Sequence, residues 1–180
     1  TPEYAKAAEY VAAKMKEYGL QPGGGNGSWF QEVPFKSWSN FNLPIRLEIV
    51  SPERRTYFAG RGRDFQPARG TGSGIARGTA AFAGYGIVSE KPAWDDYAGA
   101  DVRGKVVLVM NDDPSDDPSL FAGKTRLYYG RWTYKYEEAA RHGAAAAIIV
   151  HTPESASYPW SVVQNSWAGP QYQLPDEAEP

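Results

Sequence analysis

The sequence predicts an α+β fold: a small mixed β-barrel-like or sandwich-like domain with flanking helices that include one βαβ unit, preceded by an amphipathic helix. Residues 45–50 alternate apolar and polar side chains, which is typical of an antiparallel strand with one face in water. Residues 105–110 and 144–150 are instead nearly continuous apolar runs, which indicate strands buried on both faces. A helical pattern over 131–142 separates those two runs, so we expect a parallel pair joined by a right-handed crossover. The apolar face of this helix is predicted to consist of Trp132, Tyr136, Ala139 and Ala140.

The first eighteen residues have the spacing of an amphipathic helix. Thr1 is a suitable N-cap, and Pro2 stands where a missing N–H costs nothing. Gly19 is a natural C-terminal stop. The apolar side chains fall on one side of the helix: Tyr4, Ala8, Val11, Ala12, Met15 and Tyr18. We therefore expect this helix to need a surface on which to dock.

Three further segments predict strands. Residues 28–35 have strand composition, and Pro34 favours an edge or an end position for them. Residues 54–59 can pair with 45–50 as a hairpin. Residues 79–88 predict a strand whose glycines indicate a bulge or a close backbone approach. Composition predicts loops for the glycine-rich segments 21–27 and 60–78.

The composition excludes several classes of protein. A chain of 180 residues is long enough for one domain, or for one domain and a fragment of another. It has no cysteine, so disulfides, thiolate nucleophiles and cysteine-based zinc sites are excluded, and its 2 histidines are too few for a histidine-rich metal site. A net charge of −2 without a basic patch argues against nucleic acid as a partner. The longest apolar run, 144–150, is too short to cross a membrane, which takes about 20 residues.

Four motifs suggest chemistry, and each has a simpler explanation. The glycines of 70–74 suggest a phosphate loop, but no helical pattern follows them, which favours a flexible loop. Glu137 and Glu138 point about 100° apart on a helix and are better explained as an exposed face. His151 with Glu154 offers only two ligands, which do not make a zinc site, so both His142 and His151 are interpreted as structural or surface residues. Four aspartates could bind calcium but lack the EF-hand spacing, so a solvated acidic loop is preferred for Asp112, Asp113, Asp116 and Asp117. The residues therefore predict no catalytic group and no metal site in this chain.

A family resemblance is carried by Tyr128 to Val150 (YYGRWTYKYEEAARHGAAAAIIV). This stretch resembles the protease-associated domain that is inserted in two-zinc exopeptidases of the glutamate carboxypeptidase and transferrin-receptor type, especially their bacterial secreted aminopeptidase relatives. Residues 82–88 (FAGYGIV), 94–109 and 157–167 are similar to further parts of that domain. The helix at 7–20 and the segment 29–35 are similar to the opening of the peptidase domain itself.

The resemblance implies a division of the chain and a role for it. Residues 1–44 would be the helix and strand that open the peptidase domain, 45–172 the protease-associated domain, and 173–180 a tail. The zinc ligands of the family lie in a His-x-Asp motif and later residues, and no histidine here is followed two residues later by aspartate. The chain is thus expected to be non-catalytic and to need no cofactor, while the parent enzyme would use zinc to hydrolyse N-terminal peptide bonds. The expected partners are the remainder of the peptidase domain and a peptide substrate, in an extracytoplasmic (secreted or periplasmic) location.

Aromatic and arginine side chains at a loop-to-helix junction are typical of contact surfaces. Tyr128, Tyr129 and Arg131 lie together at such a junction and are predicted to contact substrate or a partner, whereas Trp132 is expected in the core. An alternative function is a stand-alone peptide- or glycan-binding module, which the 6 tryptophans and 12 tyrosines would serve.

Overall fold

The computed structural model describes residues 1–38, 45–59, 64–68, 71–167 and 169–175. The chain divides into two units, one formed by Thr1–Asn40 with Pro170–Pro180 and the other by Phe41–Gly169. Each unit has its own secondary structure, and the second unit contains the parallel strands.

The first unit begins with helix α1, Pro2–Glu17. The Thr1 side chain accepts a hydrogen bond from the Tyr4 N–H at 3.3 Å, so the predicted N-cap is confirmed. Gly19 has a φ of +80°, a conformation that glycine adopts without strain, and the helix ends before it. Among the residues that the structure describes, no side chain of α1 is buried.

Strand β1, Lys36–Trp38, pairs antiparallel with strand β9, Gln171–Gln173. The strand predicted over 28–35 is wrong, because these residues form no regular element and the pairing begins only after Pro34. Proline has no N–H to give to a ladder, which explains why the strand starts beyond it.

The second unit contains the predicted hairpin. Strand β2, Arg46–Ile49, pairs antiparallel with strand β3, Arg55–Phe58, with Leu47 opposite Tyr57. The alternation of apolar and polar residues over 45–50 therefore identified this strand correctly.

Three strands of the second unit form a parallel sheet in the order β4-β7-β8. They are β4, Ala80–Phe82; β7, Val106–Met110; and β8, Ala146–Val150. Helix α2, Trp132–Arg141, lies between β7 and β8 in the chain, so the predicted βαβ unit is confirmed. Two short strands, β5 (Val88–Ser89) and β6 (Trp94–Asp95), pair antiparallel. Helices α3, Pro153–Ala156, and α4, Trp160–Trp167, follow β8.

The strand predicted over 79–88 is divided by a turn between β4 and β5. Gly84 and Gly86 have φ values of +48° and +63°, which end the extended backbone. A Cβ on Gly86 would lie 2.6 Å from Cγ1 of Val109, so the predicted close backbone approach is confirmed. The glycine allows the turn to pack directly on the central strand.

The core of the second unit surrounds the central strand. One cluster of buried apolar residues there consists of Ala83, Tyr97, Val102, Val107 and Val109. The Tyr97 ring also stacks on the His142 ring, with centroids 4.0 Å apart.

Helix α2 faces this core with a different side from the one predicted. Ala139 is buried as expected, but Ala140 is exposed, and Trp132 and Tyr136 are half-buried. The buried positions are Tyr134, Lys135, Glu138 and Ala139. The exposed position predicted for Glu138 is therefore wrong; its carboxylate is buried and lies 2.6 Å from Nη2 of Arg141.

These elements confirm the α+β class. Within the described ranges the strands form small separate sheets and do not close into a barrel. In the same residues, no helix combines the length and the apolar character that crossing a membrane requires.

Candidate functional site

The candidate site lies at the carboxyl edge of the parallel sheet, where the segments that follow β4, β7 and β8 meet the N-terminal end of α2. Ligand sites of open parallel sheets usually form at this edge. A 3₁₀ turn, Tyr128–Gly130, leads into α2 and carries two of the three predicted contact residues.

Tyr128, Tyr129 and Arg131 occupy different environments in this turn. Tyr128 is 55% exposed, and its hydroxyl donates to Oε2 of Glu137 at 3.2 Å. Tyr129 is half-buried, and its hydroxyl lies 3.2 Å from Oγ of Ser89. Arg131 is exposed and forms no ion pair with the described residues. Tyr128 and Arg131 are thus accessible from solvent, whereas Tyr129 packs inside the unit.

A chain of edge-to-face aromatic contacts supports the turn. Phe121 contacts Trp94 with ring centroids 5.8 Å apart and Tyr129 at 5.3 Å. Tyr129 and Tyr128 then contact Tyr134 of α2 at 5.1 Å and 5.7 Å. Each contact of this geometry adds about 0.5–1.5 kcal/mol beyond its buried area. This aromatic chain (Trp94, Phe121, Tyr129, Tyr134 and Tyr128) joins three segments that are distant in sequence.

The Tyr134 hydroxyl fixes α2 against strand β5. It accepts a hydrogen bond from the Val88 N–H at 3.1 Å and donates to the Val88 carbonyl at 3.0 Å. Burial raises the pKa of Tyr134, so this hydroxyl keeps its proton and remains a donor.

A cleft of about 260 Å³ opens beside the 3₁₀ turn. Its lining consists of Arg126, Gly130, Arg131, Trp132, Thr133 and Tyr158. The Trp132 indole N–H donates to Oδ1 of Asn111 at 3.1 Å, so this ring is held as one wall of the cleft rather than in the core. The cleft combines aromatic walls with guanidinium groups, side chains that are enriched at the centres of protein interfaces.

Arg126 is fixed by two hydrogen bonds. Its Nε donates to Oδ1 of Asp112 at 2.9 Å, and its Nη2 donates to the Ser155 carbonyl. The neighbouring Leu127 N–H donates to Oδ2 of Asp113 at 2.9 Å. Two adjacent aspartates thus hold the segment that enters the 3₁₀ turn.

Lys135 is the residue of this site that sequence reasoning missed. Its side chain is fully buried, and its Nζ donates to the carbonyls of Asp112, at 2.7 Å, and of Tyr85. Burial lowers the pKa of Lys135 to about 8, although the nearby carboxylates of Asp113, Asp96 and Asp112 oppose that change. The signal in the sequence was its position one turn before Ala139, on the same helical face.

The acidic loop is solvated only in part: Asp116 and Asp117 are exposed as predicted, whereas Asp112 is half-buried and Asp113 is buried. Asp112 and Asp113 hold Arg126 and Leu127, and Asp117 accepts from the Ser119 N–H at 2.8 Å. Burial raises the pKa of Asp113, whereas the Ser119 hydroxyl and N–H lower the pKa of Asp117. Throughout the described ranges, no three histidine, aspartate or glutamate side chains are grouped so that they could hold a metal ion. Calcium binding by this loop stays a hypothesis.

The other candidate motifs lie elsewhere. His142 caps the C-terminal end of α2, where its Nδ1 lies 3.0 Å from the Glu138 carbonyl oxygen. His151 follows β8 and packs between the rings of Tyr158 and Trp160, each at 5.3 Å. In the segment 70–74, Gly70 lies outside the described residues, and residues 71–79 contain no helix.

The sequence profile of the PA domain family matches residues 70–177, which is more than half of the chain. This chain belongs to the PA domain family. The matched range contains the parallel sheet of the PA domain, α2, the 3₁₀ turn and the cleft, so the candidate site lies entirely within it. No curated protein and no solved structure matches the chain. Membership in this family identifies a protease-associated module.

Proposed function

We propose that this PA domain is a non-catalytic part of a zinc-dependent aminopeptidase and that it forms one wall of the cleft that admits peptide substrates. The observation that carries the proposal is the family match over 70–177, which contains the stretch Tyr128 to Val150. The resemblance of that stretch to the inserted domain of two-zinc exopeptidases supports the choice of parent enzyme.

In this proposal Tyr128 and Arg131 contact the peptide. The exposed Tyr128 ring offers an apolar face, and the Arg131 guanidinium at the cleft can bind a peptide carbonyl or carboxylate. Tyr129 keeps Tyr128 in place through the aromatic chain. Interactions of this kind strengthen substrate binding without taking part in bond cleavage.

The zinc ions belong to the remainder of the peptidase domain, which is the proposed partner of this chain. That domain would supply the ligands and a zinc-bound hydroxide for peptide hydrolysis. An extracytoplasmic location follows from the same proposal, since the relatives that the sequence resembles are secreted.

Hydrolysis assays test whether this chain is non-catalytic while the complete protein is an active peptidase. The purified 180-residue chain should release no nitroaniline from aminoacyl-p-nitroanilides, with or without added zinc. The complete product of the gene should release it and should lose that activity in EDTA. Zinc-dependent turnover by the 180 residues alone contradicts the proposal, as does a complete product that is inactive on every such substrate.

Substitutions in the complete protein test the contact residues. Tyr128→Ala and Arg131→Ala should each raise KM for a tripeptide about 5–30-fold with little change in kcat, the result expected for lost ground-state contacts worth about 1–2 kcal/mol. Phe58→Ala is the matched control, because Phe58 is an equally exposed aromatic side chain on β3, outside the site. An unchanged KM in both site variants would argue against contact.

A binding panel tests the alternative of a stand-alone module. Isothermal titration of the 180-residue chain against peptides and oligosaccharides should then show saturable binding that Tyr128→Ala weakens. Such binding, in a gene product without peptidase activity, would favour the alternative.

A further inference from the structure

We infer that Lys135 is a positioning residue: it holds the turn at Asp112, and through that turn it orients Arg126 and the entry to the Tyr128–Arg131 contact surface. This inference goes beyond the proposed function, although its importance for substrate binding rests on that function.

Asp112 has an unusual backbone conformation. Its φ is +92°, in the region that favours glycine, and β7 ends immediately before this turn. A non-glycine residue keeps such a conformation only where surrounding contacts impose it, and such residues cluster at functional sites.

Three hydrogen bonds impose the conformation of Asp112. Its carbonyl accepts from Lys135 Nζ at 2.7 Å, its carboxylate accepts from Arg126 Nε at 2.9 Å, and its N–H donates to Oδ1 of Asn111 at 3.1 Å. Lys135 and Asn111 are both fully buried, so water does not compete for these bonds.

Lys135 acts through backbone carbonyls rather than through an ion pair. In the described part of the chain, no carboxylate oxygen lies within 4.0 Å of its Nζ. Its second acceptor is the carbonyl of Tyr85, in the turn between β4 and β5. One ammonium group therefore joins α2 to two of the loops at the carboxyl edge of the sheet.

The turn at Asp112 is joined by hydrogen bonds to the segment that leads into the Tyr128–Arg131 contact surface. Arg126 is bonded to Asp112 and lines the cleft together with Arg131. Leu127, bonded to Asp113, immediately precedes the 3₁₀ turn that contains Tyr128. A change in the conformation of Asp112 would therefore alter the positions of both Arg126 and the segment that enters the 3₁₀ turn.

Amide hydrogen exchange of the 180-residue chain at neutral pH tests the inference without any substrate, so its outcome is independent of the proposed function. Lys135→Met should accelerate exchange over 112–131 at least tenfold, while the core amides of Val107 and Val109 change less than twofold. Lys124→Met, at an exposed position of the same loop, should leave both sets unchanged. Equal acceleration of core and loop amides would show a merely structural role and overturn the inference, as would a chain that fails to fold with either Met or Gln at position 135.

A second substitution tests the role of the strained turn. Asp112→Gly allows φ near +90° without cost and leaves the carbonyl in place, but it also removes the carboxylate that binds Arg126. In the Asp112→Gly background, Lys135→Met should accelerate exchange over 113–131 less than threefold. The same tenfold effect in both backgrounds would show that Lys135 does not act by holding Asp112, and the inference would fall.

Discussion

At the scale of single residues, Lys135 and Glu138 are the side chains whose environment differs most from the one their type suggests. Both belong to α2, and both are buried. Helical periodicity assigns charged residues to the solvent side. It therefore predicts an exposed position for both Lys135 and Glu138. The burial of Lys135 depends on partners far away in the chain, the carbonyls of Tyr85 and Asp112. Glu138 is instead buried beside its helical neighbours Arg141 and His142.

The lowered pKa of Lys135 predicts how stability depends on pH. Between about pH 8 and the ordinary value of 10.5, the unfolded chain holds a proton that the folded chain has released. The free energy of unfolding should therefore rise with pH, by about 1–2 kcal/mol from about pH 8 to about pH 9.5, and this contribution is lost as pH falls through about 8. Urea unfolding at a series of pH values measures it.

The pH series ends at about 9.5 to keep the contribution of tyrosines small. Burial raises the pKa of Tyr97 to about 12, so stability is lost with rising pH as the unfolded tyrosine, whose ordinary value is 10.0, ionises. Lys135→Met should abolish the rise, and Lys124→Met should retain it. A rise that persists in Lys135→Met would assign the effect to another group.

At the scale of elements, sequence patterns correctly predicted the strands and helix ends that depend on local interactions. The apolar runs at 105–110 and 144–150 identified β7 and β8, and Gly19 and Gly143 marked the ends of α1 and α2. The wrong predictions concern strands whose pairing partners are distant in sequence. β1 lies at 36–38 rather than 28–35 because its partner, β9, is more than 130 residues away, and no local pattern reports that register.

The candidate site was predictable to a similar extent. Tyr128, Tyr129 and Arg131 are neighbours in sequence, so their common location followed from the loop-to-helix junction alone. Arg126 and Tyr158 complete the cleft from other segments. Only the folded sheet brings those segments together, and the sequence therefore gave no sign of the cleft.

The turn between β4 and β5 allows a test of close packing. Gly86→Ala should lower the free energy of unfolding by about 3 kcal/mol, because the new methyl group both overlaps Val109 and carries an unfavourable positive φ. Gly99→Ala separates the two causes, since Gly99 has a φ of +73° but no described atom within 4 Å of the added Cβ. It should cost only about 1 kcal/mol. Equal costs in chemical denaturation would exclude the overlap as a cause.

At the scale of the whole molecule, the two units differ in how much they bury. The core residues all belong to the second unit, whereas the apolar face of α1 leaves Tyr4, Val11 and Met15 exposed among the residues described. An isolated helix of 16 residues is marginally stable in water. In the proposed enzyme, the remainder of the peptidase domain would cover this face.

A truncation tests this difference between the units. Deleting residues 1–35 removes α1 but keeps β1 and its partner β9. The main thermal transition should shift by less than the roughly 4 °C that corresponds to about 1 kcal/mol in a domain of this size. Calorimetry of the truncated and complete chains gives the comparison. A larger shift would show that α1 stabilises the second unit.

The aromatic chain gives the molecule an optical property. Rings held edge to face in fixed asymmetric positions produce near-ultraviolet circular dichroism, and this signal vanishes when packing loosens even if the backbone stays folded. Because Phe121, Tyr129 and Tyr134 join the loop, the 3₁₀ turn and the helix, looser packing of this region would change the part of the signal that these rings contribute. The 6 tryptophans and 12 tyrosines of the chain together produce the whole spectrum, of which this region supplies one part.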